Sequence, residues 1–380
     1  MTAPKRLAYL TGTRADFGLM EPILQSVAAS PLLDLELVVT GMHLSDRFGR
    51  TERDIVASGL PIARRIPVDI DDDSGRGMGR AAGQVTCGMA DYLADRPRDG
   101  LIVLGDRGEM LAGAMAALFA GVPIIHVAGG ERSGSVDESI RHAISKLAHI
   151  HCVAAEDGER RLLGMGEEPW RIHRVGAPGL AGLEALASVP NAELAARYGY
   201  DPARPHALLL FHPVVQDADQ AGAQWQTIFA ALEPFDVQIL VLMPNADHGT
   251  GAIRQAMGPV IAAGRAVAID HMPRADYVSA LRHAQFLIGN SSSGIVEAAT
   301  LHTPVVNVGD RQQGRLRSAS VFDAPCEGAA IADAIRKAQD CDAVGIANVY
   351  GEPDADRLVR AVLEQADLAD PALRKKIMAY

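Results

Sequence analysis

The stretch Phe286-Leu287-Ile288-Gly289-Asn290-Ser291-Ser292-Ser293-Gly294-Ile295-Val296-Glu297 passes from an apolar run through a small polar loop into the start of a helix. A short apolar run that ends on Gly and hands over to a helix reads as a buried strand followed by its crossover. The first N–H groups of a helix have no partner of their own, so three serine hydroxyls placed there favour an anion, phosphate above all. Glu297 follows within the first turns, placed to accept from a sugar hydroxyl. A nucleotide is the guest these groups suit.

Outward from this stretch the same alternation of short apolar runs and helical patterns fills most of the chain, the signature of a parallel sheet wrapped by helices. In the first half the strand candidates are 7–10, 35–40, 101–104 and 122–127, with 151–154 as a weaker fifth; in the second they are 207–211, 238–243, 266–269, 286–288 and 305–308. Two doubly wound α/β halves follow. At 380 residues the chain suits two domains rather than one core. The segment Val175-Gly176-Ala177-Pro178-Gly179 and the turn Asp201-Pro202-Ala203-Arg204-Pro205 put the crossover between them. The expected division is 1–178, 179–352 and a tail, 353–380, whose Leu358, Val359, Val362 and Leu363 have helical spacing and pack back on the first domain.

Composition bounds the function. Lys and Arg number 36 against 47 Asp and Glu, a net charge of −11, which excludes nucleic acid or an anionic membrane as the main partner. Affinity for phosphate is therefore local. Cys87, Cys152, Cys326 and Cys341 are scattered without a Cys-x-x-Cys pair, and no His/Cys/carboxylate set has metal spacing, so no metal is expected. The first residues hold too few apolar positions for a signal segment or a membrane span, and the cytoplasm is the expected compartment.

Ligands of open parallel sheets bind beyond the carboxyl ends of the strands, and the residues there are unusually polar. After the first run comes Thr11-Gly12-Thr13-Arg14-Ala15-Asp16-Phe17-Gly18, in which Arg14 suits a phosphate and Asp16 a base or an orienting acceptor; an Arg–Asp pair capping the helix is the plainer reading. Gly105-Asp106-Arg107-Gly108-Glu109 opens a helix that is almost uncharged, so its three charges face solvent or a ligand. Gly129-Gly130-Glu131 leads to Asp137, Glu138, Arg141 and His142; Asp137 with Arg141 and Glu138 with His142 stand four apart, sharing one side of a helix. Such a set can supply an acid and a base, and solvated i,i+4 pairing is the alternative. His212 ends its strand, Asn245 and Asp247 follow the next, and His271 and Arg311 stand in the same way after 266–269 and 305–308.

Taken together, Thr11 to Gly18, Gly105-Asp106-Arg107, Gly129-Gly130-Glu131 with Ser139-Ile140-Arg141-His142, and Gly289 to Gly294 with Arg311-Gln312 resemble the UDP-N-acetylglucosamine 2-epimerase family. The likeness is to its hydrolysing branch, the sialic-acid-pathway enzymes that release N-acetylmannosamine and UDP, and it runs from about residue 6 to 350. The resemblance implies a GT-B-like fold of two Rossmann-type domains with the active site in the cleft between them. It implies elimination of UDP across C1 and C2 of UDP-GlcNAc to a glycal, then addition of water with inversion at C2, without a cofactor. By position, Arg14, Arg107, Ser291, Ser292 and Arg311 hold the diphosphate and Glu297 the ribose, with His43, Asn245, Asp247, His271, Ser293 and Gly294 also on the substrate. Asp16, Asp106, Glu131, Asp137, Arg141, His142 and His212 surround the sugar. Ala128 stands where relatives carry Glu or His, which keeps open a less polar UDP-2,4-diacetamido-2,4,6-trideoxyhexose of the legionaminic type. A retaining glycosyltransferase or a catalytically silent sugar-nucleotide sensor would use the same nucleotide site. A homodimer or homotetramer is expected from the resemblance alone.

Overall fold

A computed structural model describes residues 3–72, 74–132, 136–213, 219–243, 250–270 and 272–379, without the side chains of 136 and 137. The chain divides into two compact units, Met1–Ala181 joined by Tyr350–Tyr380, and Gly182–Val349.

The first unit is built on β1 (Lys5–Thr11), β2 (Leu33–Thr40), β3 (Ile62–Ile66), β4 (Gly100–Leu104), β5 (Ile124–Val127), β6 (Ile150–Val153) and β7 (Ile172–Arg174). All pair in parallel, in the order β3-β2-β1-β4-β5-β6-β7. Parallel strands are joined by helices, and helices on both faces explain why the central strands are apolar at every position. Leu7, Tyr9, Leu37, Val39 and Ile102 pack on one side, in a core shared with the helix Arg14–Ala28; Ala8, Leu10, Val38, Leu101 and Val103 pack on the other, in a core shared with the helices Gly75–Asp95 and Gly108–Phe119.

The helix Ala355–Gln365 returns to this unit and lies on Arg14–Ala28, burying Val359 and Leu363. Burial of two such side chains contributes about 1.5–3 kcal/mol each. Lys5 completes the end of that helix, its Nζ donating to the carbonyls of Leu363, Glu364 and Ala366 at 3.0, 2.6 and 2.7 Å, where the helix dipole favours a cation.

The second unit repeats the plan with β8 (His206–Leu210), β9 (Gln238–Leu242), β10 (Val267–Ile269), β11 (Phe286–Gly289), β12 (Val305–Val308) and β13 (Val321–Ala324), parallel in the order β10-β9-β8-β11-β12-β13. Leu287 faces Leu208 on one side and Val305 on the other, so β11 is central. In each unit the strand order reverses once, between β1 and β4 and between β8 and β11, and such a switch point opens the crevice in which this class of sheet binds ligands.

Three strands lie outside the sequence expectation: β3, β7 and β13, each at a sheet edge. Edge strands are covered on fewer sides, so Arg64, Arg65, His173, Arg174 and Asp323 are tolerated and the apolar run is lost. Among the described residues no helix is long and apolar enough to cross a membrane.

Candidate active site

In the first unit the loop after β1 turns inward. Thr13 caps the helix Arg14–Ala28 and Asp16 reaches back to it, completing a capping box. The buried Asp16 carboxylate accepts from the Gly12 and Thr13 N–H groups at 3.0 and 2.7 Å, from the Thr13 hydroxyl at 2.9 Å, from the Tyr9 hydroxyl at 3.3 Å and from the Thr11 hydroxyl. Burial raises its pKa and these bonds oppose the rise. Both Asp16 oxygens are thus met by donors of β1 and its own loop. The cap is not an Arg14–Asp16 pair, because Arg14 Nε lies 3.8 Å from Asp54.

His43 extends the network. Its Nε2 is 3.0 Å from Thr11 Oγ1 and its Nδ1 2.8 Å from Thr51 Oγ1. The Thr11 proton goes to the carboxylate, so Nε2 donates to Thr11 and Nδ1 accepts from Thr51. Burial lowers the imidazole's pKa, against the pull of Asp16, which fits this neutral tautomer.

Beyond β4 and β5 the charges gather on one guanidinium. Arg141, only 5% exposed, donates from Nη2 to Asp106, from Nη1 to Glu131 at 3.1 Å and from Nη1 to the Ala128 carbonyl at 3.2 Å. Burial works against its charge, but Glu131 and Asp106 outweigh that and its pKa rises. One guanidinium thus holds two carboxylates beyond the ends of β4 and β5. Arg107, more exposed, stands just before the helix Gly108–Phe119 and donates to Glu109 at 3.3 Å. His142 Nε2 sits 3.6 Å from Glu138 Oε1, the i,i+4 neighbour the sequence pairs with it. Ala128 has φ +57°, a left-handed conformation that costs a residue with a Cβ about 1–2 kcal/mol.

The second unit shapes its loop with Asn290. The buried Asn290 side chain accepts from the His212 N–H at 2.7 Å and donates to the His212 carbonyl at 2.8 Å, continuing the β8–β11 pairing past its last backbone rung. The Asn290 carbonyl in turn accepts from Arg311 Nη1 at 2.9 Å and Gln312 Nε2 at 3.0 Å. Gly289 has φ +138°, and a Cβ there would run into the Leu210 carbonyl, so only glycine lets the strands come this close. Ser291 caps the short helix Ser292–Val296, Ser293 Oγ meets Ser291 Oγ at 2.9 Å and the Tyr277 hydroxyl, and Gly294 lies flat on Leu287 and Val305. Glu297 is buried and takes Arg274 Nη1 at 2.8 Å. The Asp137 side chain and the residues Asn245, Asp247 and His271 lie outside the described residues.

The sequence profile of the UDP-N-acetylglucosamine 2-epimerase family matches residues 25–364. The chain belongs to that family. It is 39% identical over 371 residues, 98% of both chains, to the UDP-N,N′-diacetylbacillosamine 2-epimerase (hydrolyzing) of Legionella pneumophila. It is 35% identical over 334 residues, 88% of this chain and 87% of the other, to the UDP-N-acetylglucosamine 2-epimerase of Neisseria meningitidis serogroup B. The fold matches a crystal structure of UDP-GlcNAc 2-epimerase from Neisseria meningitidis bound to UDP-GlcNAc with a TM-score of 0.76 at 14% identity, over 95% of this chain and all of that one. The fold is thus GT-B-like, and the chain is an epimerase of the hydrolysing branch that acts on UDP-sugars.

Within the epimerase, the first unit brings Asp106, Glu131 and Arg141 together, joins Asp16 to His43 in a separate buried network, and leaves Arg14 and Arg107 toward solvent. The second unit joins Ser291 with Ser293, and Arg311 with the loop backbone. Thr11 and Asn290 lie inside motifs that the sequence displays but have no individual role legible there, and Arg274 and Tyr277 lie outside those motifs. Thr13 and Asp16 stand three apart in the capping-box spacing, a signal that could have exposed the inward turn of Asp16. Arg274, by contrast, stands 23 positions before Glu297 and no local pattern joins them.

Proposed function

We propose that the epimerase converts a UDP-2,4-diacetamido-2,4,6-trideoxyhexose and water to UDP and the free 2-epimeric sugar. The observation that carries this choice of sugar is the 39% identity, end to end, to a protein that acts on UDP-N,N′-diacetylbacillosamine. Ala128 agrees with it: a methyl group there asks for no hydroxyl partner on the sugar.

Serine hydroxyls and helix N–H groups of the second unit take the diphosphate, with Arg311 anchored to the same loop, and Glu297 accepts from the ribose. Arg14 and Arg107 are the exposed cations that the first unit offers at its strand ends. A base removes the C2 proton as the C1–O bond to UDP breaks, giving a 2-acetamidoglycal. That proton is weakly acidic, so stabilising the departing diphosphate carries much of the barrier, and fixed guanidinium groups do this without reorganising. Water then supplies hydroxide to C1 and a proton reaches C2 from the opposite face. Asp106 and Glu131 are the carboxylates for these transfers, with Arg141 holding their oxygens; Asp16 and His43 hold the loop that carries Arg14. His142 stands on the helix that carries Arg141 and is the remaining candidate for the sugar in the first unit.

A second substrate, UDP-GlcNAc, is favoured by the meningococcal relative at 35% identity. Measuring kcat/KM on both sugars separates the two. At least a tenfold preference for the diacetamido sugar is expected, about 1.4 kcal/mol of discrimination; a preference for UDP-GlcNAc would transfer the assignment to it.

A further inference from the structure

We infer that His126 is the positioning residue that keeps Asp106 and Arg141 in reach of each other. This rests on the reading that these two groups belong to the catalytic site. His126 is wholly buried in β5, and its ring spans the two elements that deliver them. Nε2 lies 2.7 Å from the carbonyl of Gly105, the residue before Asp106. Nδ1 lies 3.1 Å from the hydroxyl of Ser145, which stands one helical turn beyond Arg141 on Val136–Leu147 and is also wholly buried.

The chemistry of the partners fixes the tautomer. A carbonyl can only accept, so Nε2 carries the proton; Nδ1 then accepts from Ser145, provided the ring is neutral. Burial provides for that by pushing its pKa down to about 3. A neutral, doubly bonded imidazole cannot itself trade protons with a substrate it does not touch. What it can do is set distance: Gly105 turns out of β4 with φ +68°, its N–H donating to the Val127 carbonyl at 2.9 Å and its C=O held by the ring. The residue preceding Asp106 is thus held by β5 at both its N–H and its C=O.

Two neighbours show that the site is built around this ring. A Cβ on Gly129 would stand 2.6 Å from Nδ1, so the first glycine of the Gly-Gly pair makes room for the imidazole. Ser145 is held from the far side as well, its carbonyl accepting from Lys376 Nζ at 2.8 Å. Lys376 also donates to Lys146 and Ala148 carbonyls at 2.9 and 2.7 Å, tying the C-terminal segment to the end of the helix that carries Arg141.

The test uses the full chain with four substitutions, His126→Leu, His126→Gln, Ser145→Ala and Asp106→Asn, assayed for kcat and KM on the UDP-sugar, UDP affinity by calorimetry, and thermal unfolding. His126→Leu should lower kcat on the order of 100-fold, the cost of misplacing reacting groups by about an ångström, while KM and UDP affinity move less than about threefold. His126→Gln, whose amide reaches the Gly105 carbonyl from the position of Nε2, should recover most of the rate. Equal losses in the Leu and Gln variants, a rate within threefold of the parent, or a loss matched in KM would overturn the inference. Should His126→Leu fail to fold, Ser145→Ala decides: a several-fold fall in kcat at unchanged UDP affinity supports the inference, and an unchanged rate overturns it. Asp106→Asn separates the underlying reading, since retained turnover there would remove Asp106 from the catalytic site whatever His126 does.

Discussion

Replacing Asn290 by Ala tests how the serine loop is held. Its side chain satisfies the N–H and the C=O of His212 at 2.7 and 2.8 Å, in a position only 2% exposed. Alanine leaves both groups buried without that partner, and each such loss costs about 1–3 kcal/mol. Partial water entry through the loop lowers the sum, so about 2–4 kcal/mol of unfolding free energy should go. Asn290→Asp sharpens the test: one carboxylate oxygen still accepts from the His212 N–H, but the other faces the His212 carbonyl as acceptor against acceptor. It should therefore be no more stable than the alanine variant, although it is nearly the same size. The backbone carbonyl of residue 290, kept in both variants, accepts from Arg311 and Gln312, so a loop that shifts once its side-chain bonds to His212 are lost displaces both, and UDP affinity should fall about tenfold, or 1.4 kcal/mol. Urea unfolding and UDP calorimetry read the two effects. A loss below about 0.5 kcal/mol in Asn290→Ala, or parental stability in Asn290→Asp, would refute the reasoning.

Acid should unfold the parent chain through Glu167. Buried and held by His151, Lys146 and Lys376 at 3.0, 2.6 and 2.6 Å, it has a pKa lowered from 4.5 to about 2. A depressed carboxylate contributes stability that is present above its unfolded pKa and lost as pH falls toward the folded one. Glu167→Gln should therefore flatten the decline of stability between about pH 5 and 2 by roughly 2–3 kcal/mol, as followed by urea titrations across that range. Lys376, despite the same contact, has a pKa lowered to about 8 because burial outweighs Glu167; its effect lies between about pH 8 and 10.5, where stability again rises with pH, and so falls outside the acid limb. Ala128→Gly should raise stability by about 1 kcal/mol, measured by thermal unfolding, because glycine takes φ +57° without strain; a loss would mean that the methyl group is needed for packing.

How much was legible in the sequence follows from which constraints are local. Central strands such as β1, β4, β8 and β11 are buried on both faces, so Leu7 to Leu10, Ile102 and Leu287 declare themselves as unbroken apolar runs. Edge strands need no such run: β10 keeps one, but Ile62-Ala63-Arg64-Arg65-Ile66 pairs its two arginines with Asp95 and Glu52, and reads as a loop. The polar residues after each strand were visible as a group, because nothing but a ligand site or a solvated surface tolerates so many charges at strand ends. Their individual roles were not. Asp16 looked open until its donors were counted, and the Arg141 cluster draws on Asp106 and Glu131, which stand 35 and 10 positions away. His126, Ser145 and Lys376 meet over more than 200 positions, a contact that only the folded chain can show. The sugar is the least legible of all: the motifs favour UDP-GlcNAc, and the relatives include one named for UDP-N,N′-diacetylbacillosamine and one for UDP-N-acetylglucosamine.

Elimination and hydration across C1 and C2 is the central claim, and NMR in D2O tests it most directly. The epimerase, incubated with UDP-N,N′-diacetylbacillosamine in D2O, should release UDP and a free sugar inverted at C2 that carries one deuterium at that carbon. Release of UDP with the C2 proton retained, or an epimerised sugar still joined to UDP, would contradict it.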